Sequence, residues 1–301
     1  MKKGIKIFIL LMLALFLIGG VLIIVGVANG GSMALNIDHK NKKVYTNSKL
    51  YEGVETPDSL KNIDIHVDVA DINIKRGDSY KIEYHFRSYN TPIIKTENDT
   101  FIIDTCPSNE IIFNYNFDFS TIKEDNYINI TVPENADLSN TKLNVDVGDI
   151  NIDSVNNSSL NIDLDTGKLN LANANIDDLV YDLNTGDTTI NSITGTKLSG
   201  DIDTGKFDMT NSTINAVTIT DNTGNIAVSE SKVSDININS DTGLINLSLI
   251  GEESDYSIKA DIDTGSITVN GKKMKDSYQV DAGKNKIIID SDTGSVNIDF
   301  K

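Results

Sequence analysis

Tryptophan is absent from these 301 residues, cysteine occurs once and arginine only twice. The lone Cys106 excludes an intrachain disulfide, so packing alone has to hold the chain together. Cationic charge is scarce as well: 26 Lys and Arg stand against 44 Asp and Glu, a net charge of -18. Three of the lysines, Lys2, Lys3 and Lys6, lie in an N-terminal segment without acids. The rest therefore carries 23 basic and 44 acidic residues, a difference of -21. Such a surface repels nucleic acid. His39, His66 and His85 are scattered, with no spacing that suggests a metal site or a catalytic triad.

What the chain does contain begins with an apolar run. Ile7 to Ala28 is long enough to cross a bilayer as one helix and exceeds the apolar core of an ordinary secretory signal. It reads as a signal anchor, although the small residues of Gly26-Val27-Ala28 would also suit signal-peptidase cleavage. No Cys follows it, which excludes lipoprotein processing. Lys2, Lys3 and Lys6 favour a cytoplasmic tail over residues 1–6, and hence a C-terminal part outside the cytoplasm; Lys40, Lys42 and Lys43 pull weakly the other way. Residues 29–60 are polar and aperiodic and read as a juxtamembrane linker.

One phrase then recurs: Asp165-Thr166-Gly167, Asn184-Thr185-Gly186, Asp203-Thr204-Gly205, Asn222-Thr223-Gly224, Asp241-Thr242-Gly243, Asp263-Thr264-Gly265 and Asp292-Thr293-Gly294, led by Asp146-Val147-Gly148. The glycines are spaced by 19 residues five times, then by 22 and 29. A fixed period of this length signals stacked repeats. With each glycine at position zero, apolar residues alternate up to the corner and resume at plus two and plus four, as in Leu160, Ile162, Leu164 and then Leu169, Leu171. Period two marks strands with one buried face. The slip in parity predicts a bend at Gly148, Gly167, Gly186, Gly205, Gly224, Gly243, Gly265 and Gly294. The Thr before each glycine is expected to point inward and cap backbone groups there.

These patterns predict an all-β fold: a parallel β-solenoid of 19-residue, two-strand rungs over residues 135–301, preceded by one transmembrane helix over 7–28. Ile63 to Ile74 repeats the pattern around Ala70 and reads as a first rung. Between Arg76 and Pro133 the period vanishes, and 12 of the 19 Phe and Tyr residues lie between 29 and 135. Residues 61–134 are thus expected to combine that rung with an aromatic β capping region. Insertions are expected near 251–255 and 271–276, with no second cap evident at Lys301.

Aspartates line up on this ladder. Outward columns form at minus two (Asp146, Asp165, Asn184, Asp203, Asn222, Asp241, Asp263, Asp292) and at minus four (Asp163, Asp182, Asp201 among others). Carboxylates about 4.8 Å apart repel by roughly 0.9 kcal/mol even in water. At plus one, Asp149, Lys168, Asp187 and Lys206 alternate in sign, an attractive column. Calcium is the sharpest ligand for Asp163, Asp165, Asp182, Asp201 and Asp203, because hard cations take carboxylate oxygens; the glycine-rich nonapeptide of calcium-binding β-rolls is absent, and a solvated ladder is the simpler reading. No other cofactor is suggested. Eight D-T-G-like turns cannot each be half of an aspartic-protease dyad. A polysaccharide-cutting β-helix would need cationic groups among the rungs, whereas Arg76 and Arg87 precede them. The stripe Phe113, Tyr115, Phe117 and Phe119 could stack on sugars but fits a buried face better. Lys272, Lys273 and Lys275 form the one basic cluster among the repeats, most simply a solvated loop and otherwise a contact for phosphate-rich wall polymers.

The phrases at Ile63–Ile74 and Thr131–Ile152, followed by D-T-G rungs, resemble the bacterial putative-adhesin family of β-strand-repeat proteins. That resemblance covers about residues 60–301. It implies a membrane-anchored domain of unknown function of Gram-positive type, some relatives lying in envelope stress-response loci, with no catalytic residue. The expected role is non-enzymatic: adhesion to, or interaction with, a cell-wall polymer or surface protein at the cell envelope. The rivals are a membrane-tethered polymerising scaffold of bactofilin type, which an uncapped last rung ending at Phe300 would suit, and a polysaccharide-processing β-helix enzyme. No L-P-x-T-G-type signal is present, so attachment is expected through the helix.

Overall fold

The computed structural model describes residues 3–29, 34–38, 43–45, 48–105, 111–116 and 125–301. They form two compact units, residues 1–49 with 108–124, and residues 50–107 with 125–301. Cys106, His39, Phe117 and Phe119 lie outside the described residues.

In the first unit the apolar run forms the helix Lys3–Ala28, ended by Asn29, whose Nδ2 donates to the Val25 carbonyl. Strand Ala34–Asp38 pairs antiparallel with Lys43–Tyr45 on one side and with Ile111–Asn116 on the other. Residues 29–60, expected as a juxtamembrane linker, contain these first two strands and a third, Lys49–Glu55.

The second unit is all β. Its inward residues at minus seven, minus five and minus three line one side of a continuous core, and those at plus two and plus four line the next. Strands one rung apart pair in parallel and in register, as Leu143 with Ile162 and Ile162 with Tyr181. A second bend follows at plus six, where Ser154, Asn173, Ser192, Asn211 and Glu230 take left-handed φ values of 48 to 62°. Ser and Asn accept that conformation because their short side chains bond locally. Full burial of an aliphatic side chain contributes about 1.5–3 kcal/mol, so a rung is stable only when flanked.

At the glycine corner the physical reason for the residue is crowding. A Cβ on Gly205 would sit 1.6 Å from the Gly186 carbonyl oxygen, and one on Gly186 would sit 1.7 Å from that of Gly167. The corner glycine N–H donates to the carbonyl of the Thr on the next rung, as Gly167 to Thr185 at 3.0 Å. The threonine side chains themselves, from Thr166 to Thr293, are exposed. They do not point inward, contrary to the sequence expectation. Positions minus two and minus one both face out, and the parity slip is absorbed there.

The order of rungs in space differs from their order in the chain at both ends. Rung Asn62–Gly77, with its corner at Ala70, lies between the Gly148 rung and an outer layer made of Thr100–Asp104 and Tyr127–Pro133. At the far end the C-terminal strand Asn285–Phe300 pairs in parallel with both the Gly243 rung and Tyr256–Val269. The corners thus run Gly243, Gly294, Gly265.

The terminal strand is interior, and the sheet is mixed rather than wholly parallel. Tyr256–Val269 is overlaid by the antiparallel strands Lys272–Lys273 and Ser277–Val280, so this end does carry a cap. Lys81–Ser88 and Ile93–Glu97 lie antiparallel over the outer strands of the other end.

Skipping a rung requires a crossing, and Arg76 holds one. Its guanidinium donates to the carbonyls of Ser154, Pro133 and Ala136 and pairs with Asp137 at 3.0 Å, spanning the turn that carries the chain from the outer layer to the Gly148 rung.

Replacing Gly205 by Ala is expected to destabilise the full chain in detergent by about 3 kcal/mol, the upper end of the usual cost of an overpacked core. Gly271→Ala, where a Cβ meets nothing within 4 Å although φ is 71°, should cost about 1 kcal/mol. Urea unfolding of the two variants measures both, and equal costs would refute the corner-crowding account.

Candidate functional site

With both ends of the stack overlaid, the lateral faces are its broad exposed surfaces. One face carries the columns at minus four and minus two. In spatial order the first reads His66, Asn144, Asp163, Asp182, Asp201, Thr220, Asn239, Asp290 and Asp261, and the second Asp68, Asp146, Asp165, Asn184, Asp203, Asn222, Asp241, Asp292 and Asp263. Asp163, Asp165, Asp182, Asp201 and Asp203 are thereby brought together on three consecutive rungs. An open groove of about 370 Å³ runs between the Asp163–Asp182–Asp201 column and its neighbour Asn161–Val180–Ser199, floored by Ile162, Tyr181 and Gly200. The buried Tyr181 ring fills the space that a side chain on Gly200 would occupy; a Cβ there would lie 2.4 Å from its hydroxyl.

The electrostatics follow from the repetition. Asp182 titrates above the usual carboxylate range, through partial burial first and then the charges of Asp201, Asp163, Asp203 and Asp165. Asp146 shifts upward for the same reasons, with Asp68 its largest charged neighbour. Asparagines relieve the columns locally. Asn184 donates to Asp165 at 2.7 Å, Asn222 to Asp203 at 2.8 Å and Asn144 to Asp163 at 2.9 Å. Among the described residues no group of three or more His, Cys, Asp or Glu side chains is arranged to hold a metal ion.

The plus-one column works differently from the sequence expectation. No ion pair between its lysines and aspartates occurs among the described residues. Instead each acidic or amide side chain accepts a backbone N–H from the following rung: Asp71 from Asp149, Asp149 from Lys168, Asp187 from Lys206 and Asn225 from Leu244, at 2.8 to 3.1 Å. A column that sequence reasoning missed lies at plus three. Asn170 donates to Asn151, Asn151 to Asn73 and Asn73 to Asn129, an amide ladder across four layers at 2.9 to 3.0 Å. Its signal was the repeated I-N-I and L-N-L phrase on the second strand.

The remaining candidates take structural places. His66 pairs with Asp104 at 3.4 Å, and His85 stacks on Tyr127 and bonds the Asp125 carbonyl. Phe113 and Tyr115 belong to the antiparallel sheet of the first unit. Lys272, Lys273 and Lys275 are all exposed on the capping hairpin.

These features define the class: an all-β stack of repeated rungs with one apolar N-terminal helix and charged lateral columns. Residues 60–299 match the Toastrack DUF4097 family, and the chain belongs to it. No curated protein matches. Among solved structures, the chain is 14% identical to a putative cell adhesion protein from Clostridium sporogenes, covering 84% of this chain and 100% of that one with a TM-score of 0.33. A putative adhesin from Bacteroides fragilis is also 14% identical, with coverage of 84% and 96% and a TM-score of 0.42. A putative lipid binding protein from Parabacteroides distasonis is 12% identical, with coverage of 84% and 95% and a TM-score of 0.44.

Replacing Asp182 by Asn should raise the melting temperature at pH 7 and low ionic strength. The sign follows from the shift: a carboxyl raised in the folded state favours folding when protonated and loses that contribution as pH rises. The gain should shrink in 0.5 M NaCl, where charges interact only at short range. A gain independent of salt would show that desolvation rather than column repulsion governs Asp182.

Proposed function

We propose that this is a single-pass membrane protein of the cell envelope whose stack lies outside the cytoplasm and acts, without catalysis, as an adhesion or envelope-interaction surface. The observation that carries the reading is the segment Phe8–Gly26, a 19-residue helical span of mean hydropathy 3.2 with none of it buried. A helix of that length and exposure suits a bilayer, and Lys2, Lys3 and Lys6 ahead of it favour retention of the N-terminus inside. Family membership, with its adhesin association, supports the role at the surface.

Taken as a parallel β-solenoid of 19-residue rungs with longer connections toward its ends, the second unit presents continuous lateral columns. A partner would then meet a long ruled face rather than a pocket. The scaffold alternative loses its motive, because the edges that would template further rungs are overlaid by Ser277–Val280 at one end and by Lys81–Ser88 and Ile93–Glu97 at the other. The enzyme alternative is weakened too: Arg76, one of two arginines, is committed to backbone carbonyls.

Protease treatment of intact cells, followed by immunodetection of the repeats, tests the placement. Loss of the repeat signal from the membrane fraction is expected. Release into the medium without protease would mean that the helix is cleaved as a signal peptide. Protection that disappears only on lysis would place the stack inside and overturn the reading.

A further inference from the structure

The column at minus three is apolar along most of the stack: Val67, Val145, Leu164, Leu183 and Ile202 on one side, and Ile262 at the far end. Three consecutive layers break it. Asp221, Ser240 and Ser291 occupy those positions and are only 1%, 2% and 2% exposed. A carboxyl group thus replaces an aliphatic side chain inside the core. Among the described residues, its one side-chain hydrogen bond is from Ser240 Oγ at 3.5 Å, the long limit of such a bond, and Ser291 Oγ has no partner.

The groups around Asp221 offer no compensating charge. Inward residues at plus two on its own rung and the rungs beside it, Phe207, Ile226 and Ile245, are apolar. The charged neighbour that acts on it is Asp241, of like sign, on the adjoining rung. The Tyr181 hydroxyl, from the N-terminal side, has its own titration pushed further up by burial and is neutral throughout the working range. No basic side chain bonds Asp221 among the described residues. An ionised carboxylate there would be desolvated and unpaired, which folded proteins avoid by keeping the group neutral.

We propose that Asp221 is an acid-tightened latch in the stack: protonated, it sits in the core as a neutral hydrogen-bonding group, and its ionisation toward neutral pH loosens the rungs around Gly224 and Gly243 and the intercalated C-terminal strand beside them. Burial, partly offset by Ser240 and reinforced by Asp241, pushes this carboxyl up to about 6 from an ordinary 3.8. The stabilising contribution is therefore complete below about pH 4, falls as pH rises through the window to about 6, and is absent above it. Asp146 and Asp182 shift in the same direction, so the pH trend of the native chain does not isolate Asp221. The difference between native and variant chains does.

The test is hydrogen exchange of the full chain in detergent between pH 4 and 7.5, corrected for intrinsic exchange, on the native protein, Asp221→Asn and Asp221→Ile. Opening of peptides from 213–249 and 285–300, relative to peptides from 138–172, should rise by up to about a hundredfold across the window in the native chain, about tenfold for each pH step between the ordinary and the raised titration. In both variants that rise should be lost, leaving only the slope that Asp146 and Asp182 contribute. The Ile variant supplies the residue type that Ile202 places in the same column, which keeps the test open if Asn does not fold. A native slope retained in the variants would overturn the proposal, as would a native chain without a slope. Failure of both variants to fold at acidic as well as neutral pH would also overturn it, since the carboxyl would then be needed whatever its charge.

Discussion

The close approach of one corner glycine to the carbonyl of the next is the constraint on which the rest of the stack depends. It brings successive rungs to strand spacing at the point where the chain turns, so that the two sides of every rung stay in register together. A side chain there would push the rungs apart by more than an ångström, and every ladder hydrogen bond on both sides would lengthen. Ala70 shows the limit of the rule. The layer outside it is not a continuous turn but two separate strands, Thr100–Asp104 and Tyr127–Pro133, so no neighbouring glycine carbonyl occupies the space of its Cβ.

Register has an electrostatic consequence. Whatever a rung places outward is placed again about 4.8 Å away on the next, so a single favourable substitution becomes a column and a single unfavourable one is multiplied. Amides are the natural solution, because an Asn can donate to one neighbour and accept from the other; the run Asn129–Asn73–Asn151–Asn170 does so. Aspartate can only accept. The acidic columns are tolerable where an Asn alternates with Asp, or where the carboxylate finds a backbone N–H, as Asp149 and Asp187 do. Where three aspartates follow one another, as at Asp163, Asp182 and Asp201, only the first meets an amide among the described residues, Asn144, and a fixed negative field remains on the surface.

Much of this was legible in the sequence, and the reason is the same repetition. Alternating apolar positions and the glycine period suffice to give strands, corners and the outward columns. The threonine orientation was not legible, since alternation alone extends the inward set to minus one; only the corner's geometry reveals that two successive residues face out. The alternating Lys and Asp at plus one suggested ion pairs because charge pattern is visible in a sequence, whereas the backbone donors left by the bend are not.

The order of the last rungs was hidden for a deeper reason. Rungs with near-identical edges are interchangeable neighbours: Gly294 fits against Gly243 or Gly265 with the same register, and periodicity is blind to the choice. What selects the observed order is the connection. Tyr256–Val269 is followed by a hairpin that folds antiparallel over its outer edge, Met274 N–H bonding the Ile267 carbonyl and Ile262 N–H the Asp276 carbonyl. With that edge occupied, the following strand can pair only on the inner side, between Tyr256–Val269 and the Gly243 rung. The enlarged steps of 22 and 29 residues are the trace of this arrangement. They reveal that chain has been added, while its use as a cap follows only from the hydrogen bonds. A repeat with open edges would add copies indefinitely; here the added chain covers the edge, and the broad exposed surface that remains is lateral.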